Sequence, residues 1–148
     1  MKQGARGLTL IEVSIALLVG SLLVAVGMPA YQARVTREIV EEVLEVAIPA
    51  KETIEEYASR QGELPATQEV ALPFVTSKFV VTTSWASSGT SGAVTIATRS
   101  GQNNELRSKA VVLTASYNPA TRGVDWVCGG TAATTVAAEF LPDACKSP

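Results

Sequence analysis

The chain has 148 residues, with 12 Lys and Arg against 14 Asp and Glu, no His, 2 Cys and a formal charge of −2. That length supports one modest domain plus one long helix. The lack of His excludes a Ser–His or Cys–His nucleophile pair, two Cys are too few for a dedicated Cys/His metal site, and the acidic balance argues against nucleic-acid binding by bulk electrostatics.

Near the start, Gly7-Leu8-Thr9-Leu10-Ile11-Glu12 leads into a run from Val13 to Ala33 that holds no Asp, Glu, Lys or Arg. As a helix, such a run is about 31 Å long, enough to cross the hydrocarbon core of a bilayer. A carboxylate at its edge costs about 2–3 kcal/mol on insertion scales, so Glu12 calls for a partner. A new amino terminus, made by cutting after Gly7, would supply a positive charge. Three plainer readings compete: a secretory signal cut near Ala25-Val26-Gly27, a simple membrane anchor, and a buried core helix. The Glu at the head of the run is wrong for the first, the second leaves the Gly7–Glu12 register unexplained, and against the third nothing polar interrupts the run between Ser14 and Tyr31 except Ser21.

The leader Met1-Lys2-Gln3-Gly4-Ala5-Arg6-Gly7 is short and basic. Together with Leu8 and Glu12 it resembles the class III signal of type IV prepilins. The resemblance implies cleavage after Gly7, methylation of the Leu8 amine, and an assembly role for Glu12, Leu8 and Thr9. Gly4 is a second possible cleavage point, but its register would put Glu12 too far into the mature chain. Loss of Lys2 and Arg6 with the leader takes the net charge from −2 to −4.

Beyond Ala33 the pattern becomes amphipathic. Val35, Ile39, Val43, Ala47, Ala50, Ile54 and Tyr57 recur at helical spacing, with Arg37, Glu38, Glu41, Glu42, Glu45, Glu52, Glu55 and Glu56 between them. One long helix ending near Arg60, before Gln61-Gly62 and Leu64-Pro65, is expected. Pro29 and Pro49 each remove one helical hydrogen bond, so kinks or local unwinding are expected at both. Met28-Pro29-Ala30-Tyr31-Gln32 resembles a stretch where the helices of that family bend and continue.

Residues 62–77 have turn composition, with Leu64, Leu72 and Phe74 as apolar anchors. Strand-like segments follow at 78–85, 93–99, 109–117 and 124–128, with a hairpin loop at 86–92 and a turn at 118–123. A four-stranded antiparallel meander against the amphipathic part of the helix is the economical fold. Trp85 and Trp126 read as core or sheet-face residues.

Two Cys form an even pair in a chain that its leader would send across the inner membrane, so a disulfide is the natural reading and two buried free thiols the alternative. Val124-Asp125-Trp126-Val127-Cys128 and Leu141-Pro142-Asp143-Ala144-Cys145 resemble the Trp-x-Cys … Leu-Pro-x-x-Cys ending of type IVa major pilins. The resemblance implies a loop closed by Cys128 and Cys145.

The expected fold class is thus α+β: a long N-terminal α-helix, apolar in its first half and amphipathic in its second, packed on a four-stranded antiparallel sheet with a disulfide-closed C-terminal loop. Its expected parts are a leader (1–7), a polymerisation helix (8–33), an amphipathic continuation (34–61) and a globular head (62–148). The function implied is that of a major pilin of a type IVa pilus, used for adhesion or twitching motility. A minor pilin for DNA uptake and a type II secretion pseudopilin are the alternatives. After Leu64 the basic residues Lys78, Arg99, Arg107, Lys109, Arg122 and Lys146 nearly balance Glu69, Glu105, Asp125, Glu139 and Asp143. Expected partners are further copies of the chain, a prepilin peptidase and N-methyltransferase, the inner-membrane assembly machinery, and the inner membrane before assembly. No cofactor, metal or catalytic residue is implied, and the final location would be a surface fibre.

Overall fold

The computed structural model describes residues 9–73, 75, 77–99, 104–128 and 133–146. Gly7, Leu8 and Phe74, singled out above, lie outside them. The chain divides into two units, residues 1–35 and 36–148.

In the first unit, helix α1 (Leu10–Glu45, continuing into the second unit) is helical through Pro29 without interruption. Its apolar side chains are exposed there: Leu10, Leu17, Leu23 and Val26 all face outward. Ser14 and Ser21 turn their hydroxyls back onto the carbonyls of Ile11 and Leu18, at 2.9 and 2.8 Å. Their polar atoms are therefore satisfied inside the helix, as apolar surroundings require.

The second unit opens with the last part of α1, followed by α2 (Ile48–Gln61). The single amphipathic helix expected from the pattern is broken at Val46–Ala47, ahead of Pro49. There the ladder weakens to a 3.4 Å bond from Val46 N–H to Glu42 O and tightens to an i−3 bond from Ala47 N–H to Leu44 O. Pro49 then sits in the first turn of α2, where a missing N–H costs nothing. The helix ends at Gly62, whose φ of 78° lets its N–H reach Ala58 O at 2.8 Å.

Ile39, Val43, Ala47, Ala50 and Ile54 are buried as the spacing predicts, and Val40, Val46 and Ala58 join them. Burying each Ile or Val contributes about 1.5–3 kcal/mol. Tyr57, expected on this stripe, is half-buried and turns its hydroxyl to Glu69.

The sheet is an antiparallel meander in the order β1 (Val80–Ser88), β2 (Ser91–Thr98), β3 (Ala110–Asn118) and β4 (Gly123–Cys128). The register puts Trp85, Val94, Leu113 and Cys128 in one row across the sheet, with Ala115 and Trp126 paired beside it. This face meets the helix, because Trp126 lies within reach of Lys51 and Glu55. The seven-residue loop expected at 86–92 is instead a tight turn. Both strands extend to Ser88 and Ser91, and Gly89 takes the positive φ, 63°, of the first position in a type II′ hairpin.

Candidate assembly site

Two regions carry the residues that the sequence singles out. The first is the start of α1. Thr9 stands just ahead of the helix, and its Oγ1 accepts the backbone N–H of Glu12 at 3.3 Å. Thr9-Leu10-Ile11-Glu12 is thus a capping-box sequence, with Thr at the N-cap and Glu three residues on. Sequence reasoning gave Thr9 only an assembly role and missed the cap, although Thr-x-x-Glu before an apolar run was the signal for it. Glu12 lies in the exposed first turn, where a carboxylate also faces the positive end of the helix dipole. It is the last charge before Arg34 along a stretch of mean hydropathy 2.4 whose side chains are exposed among the described residues. Gly7 and Leu8, expected to flank the cut, lie outside the described residues.

The second region is the end of the chain. Cys128 and Cys145 are bonded to each other, with their Cα atoms 4.5 Å apart. Cys145, Leu141 and Phe140 are buried. Two short 3-10 turns, Ala138–Phe140 and Asp143–Cys145, make this packing possible. Arg37 donates from Nε to the carbonyl of Glu139 at 2.8 Å, so a helix cation that reads as surface decoration holds the closing loop. β4 pairs with β3 only from Leu113 onward. Thr134 and Thr135 cover the remainder: Thr135 N–H reaches Ala110 O at 2.9 Å, its Oγ1 accepts the N–H of Ala110 at 2.8 Å, and Thr134 Oγ1 accepts the N–H of Val112 at 3.2 Å. The returning chain thereby finishes the edge of β3.

Elsewhere in the head, exposed polar side chains pair with one another. Tyr57 donates to Glu69 at 2.9 Å, and Glu69 also accepts the Ala66 N–H at 2.9 Å. These two bonds, the backbone one first, hold the Glu69 carboxyl below the usual carboxylate range, while the bond to Glu69 pushes the Tyr57 hydroxyl up. Lys146 likewise lowers the Asp143 carboxyl. Of the cations in the sheet half, Arg99 and Lys109 are tied to the same end of the sheet, whereas Arg122 lies in the β3–β4 turn at the other. Among the described residues no group of three His, Cys, Asp or Glu is placed to hold a metal ion.

Residues 36–146 match the family Pilin, described as a bacterial filament. The chain is 30% identical over 150 residues to the fimbrial protein EcpC of Eikenella corrodens, covering 99% of this chain and 94% of that one. It is 31% identical over 125 residues to a fimbrial protein of Neisseria meningitidis serogroup B, covering 84% and 72%. With the type IV major pilin protein PilE1 of Neisseria gonorrhoeae it shares 33% over 129 residues, covering 84% and 58%. No solved structure matches the chain. An outward-facing apolar helix, a four-stranded meander, a closing disulfide and these relatives agree, and the chain belongs to the pilin family as a type IV pilin, a structural subunit of a bacterial pilus.

Proposed function

We propose that this chain is the major subunit of a type IVa pilus, a fibre on the cell surface used for adhesion or twitching motility. The supporting observation is the apolar surface of α1 before Arg34, which has one carboxylate at its head and is exposed among the described residues. Before assembly, residues 8–33 lie in the inner membrane, with Lys2 and Arg6 on the cytoplasmic side. A prepilin peptidase cuts after Gly7, and the new amine of Leu8 is methylated. Transfer from lipid into a fibre core exchanges one apolar environment for another, so it costs little. Glu12 is the exception, and the Leu8 amine of a neighbouring copy neutralises it and sets the register between subunits. The amphipathic continuation, 34–61, carries the head, 62–148, on the outside. Electron microscopy of a strain lacking this gene tests the reading: all surface fibres should disappear. Fibres that persist while a single function is lost would make the chain a minor pilin instead.

A further inference from the structure

The two ends of the sheet differ in charge. At the end where β1 begins, β2 ends and β3 begins, backbone hydrogen bonds gather two connections, the segment leading into β1 and the link from β2 to β3. Arg99 N–H reaches Phe79 O at 2.7 Å, Thr98 N–H reaches Lys109 O at 2.9 Å, and Lys109 N–H reaches Leu106 O at 3.3 Å. Lys78, Arg99, Arg107 and Lys109 are carried on these connections, and all but the half-buried Lys109 are exposed. The Lys78 ammonium stands 4.7 Å from the Phe79 ring centre, and Arg99 donates to Val80 O, so neither is neutralised by these contacts. Glu105 is acidic on the same connections, and Glu42, which accepts a 3.4 Å bond from Ser77, stands beside them.

At the far end, about 25 Å away along β3, an open groove runs between α2 and the β3–β4 turn. Glu52, Glu55, Glu56 and Ser59 line its helix side, and Arg122 to Val124 its sheet side. Three carboxylates therefore share the groove with one guanidinium. Glu56 pairs with Arg60, and Glu55 accepts the Trp126 Nε1–H at 2.6 Å. Glu52 has no ion pair among the described residues.

We propose that the basic end of one head seats against the acidic groove of the next copy in the filament, an inference that rests on the filament-subunit reading above. Two different patches at opposite ends of one sheet make a heterologous contact, and a heterologous contact that does not close propagates as an open helical polymer. Charge complementarity of this kind sets register and rejects wrong docking more than it adds affinity. Arg107 and Glu52 are the central pair, being exposed at their respective ends and in no ion pair among the described residues.

Charge reversal in the full-length chain, expressed in a strain without its own copy, tests this. Arg107→Glu with Lys109→Glu reverses one end, and Glu52→Lys with Glu56→Lys reverses the other. Either pair alone should lower the fraction of subunit recovered as fibre by about tenfold or more, because like charges would then meet at every contact. All four changes in one chain should restore fibres. Sheared wild-type fibres should also shed subunits faster in about 0.5 M salt than in dilute buffer, since salt screens such pairs. Protease resistance of the membrane-held subunit shows that each variant folds. Fibres indifferent to either reversal, or four changes no better than two, overturn the proposal alone, whether the groove then takes another protein or only solvent. A wild-type chain that builds no fibre overturns the filament reading and the proposal with it.

Discussion

The indole of Trp85 lies over Gly92 on the neighbouring strand. A Cβ at position 92 would stand 2.1 Å from Cη2 of that ring and 2.5 Å from Cζ2. The ring has no room to retreat, since Trp85 is buried and its Nε1–H donates to Pro65 O at 3.0 Å. Position 92 is glycine because a large side chain occupies the space of its Cβ. This contact also fastens the segment after the helix to the first hairpin, since Ser87 N–H bonds Thr67 Oγ1 at 3.0 Å nearby.

Gly92→Ala should therefore destabilise the subunit by about 1–3 kcal/mol, the usual cost of overpacking. Thermal unfolding in detergent, followed by tryptophan fluorescence, measures it. Trp85→Leu in the same chain should recover part of the loss, as expected for side chains in contact. Equal melting of Gly92→Ala and wild type would mean that the ring does not occupy this space.

Arg122 has a φ of 53°, a left-handed conformation that costs a non-glycine residue roughly 1–2 kcal/mol. Arg122→Gly should raise stability by about that order. Arg122→Ala removes the same charge but keeps the strain, so it should leave the melting temperature near wild type. A gain of similar size in both variants would assign the effect to charge.

Glu69 and Tyr57 give the segment after the helix a dependence on pH at both extremes. The Glu69 carboxyl is lowered, so its contribution is present above its unfolded pKa and is lost as pH falls through the folded one. The Tyr57 hydroxyl is raised, so its contribution is complete below about pH 10 and is lost as pH rises through the folded value. The protection of amides 64–70 against hydrogen exchange, taken relative to the intrinsic rate at each pH, should fall at both extremes. Tyr57→Phe should abolish the alkaline arm and keep the acid one, because the Ala66 bond to Glu69 remains.

Much of this architecture is legible in the sequence, and the exceptions have local causes. The helical stripe from Ile39 to Ile54, the four strands and their meander follow from periodicity. The Ser88–Ser91 hairpin does not, since Ala86-Ser87-Ser88-Gly89-Thr90-Ser91-Gly92 has loop composition. Its strand state comes from pairing, with Ser91 opposite Ser116 and Gly92 opposite Ala115. The helix break falls before Pro49 because the proline's lost bond would have gone to Glu45 O, and the chain unwinds on that side. At the candidate site, Glu12 and the Cys pair stand out in the sequence as an odd charge and an even count. The bond from Arg37 to Glu139 spans residues 102 apart and leaves no local pattern.

The Cys128–Cys145 bond closes a loop with a sequence separation of 17, which in the chain-entropy model contributes about 3 kcal/mol. Cys128→Ser should lower stability by that order and release Thr135 from the edge of β3. Limited proteolysis should then cut between residues 129 and 144 in the variant but not in the wild type. Equal resistance would show that packing of Phe140 and Leu141 holds the loop without the bond.

Glu12 is best tested by separating its charge from the helix cap. The Thr9 hydroxyl accepts the backbone N–H of Glu12, so replacing the Glu12 side chain leaves that bond in place. Thr9→Val does the reverse, keeping the carboxylate and removing the cap at a cost of about 1 kcal/mol. If Glu12 neutralises the Leu8 amine of a neighbour, Glu12→Val leaves that amine uncompensated among apolar side chains. Breaking a buried pair in this way costs about 3–5 kcal/mol, and the loss recurs at every subunit. Glu12→Val subunits should therefore accumulate in the membrane, with the head folded and protease-resistant, yet give no fibres. Glu12→Gln should fail in the same way, because it keeps the size and loses the charge. Thr9→Val subunits should still assemble, since a frayed first turn can reform once packed. Abundant fibres of normal thickness from Glu12→Val alone would show that the carboxylate does not join the subunits, whereas loss of fibres in Thr9→Val but not in Glu12→Gln would place the effect in the cap.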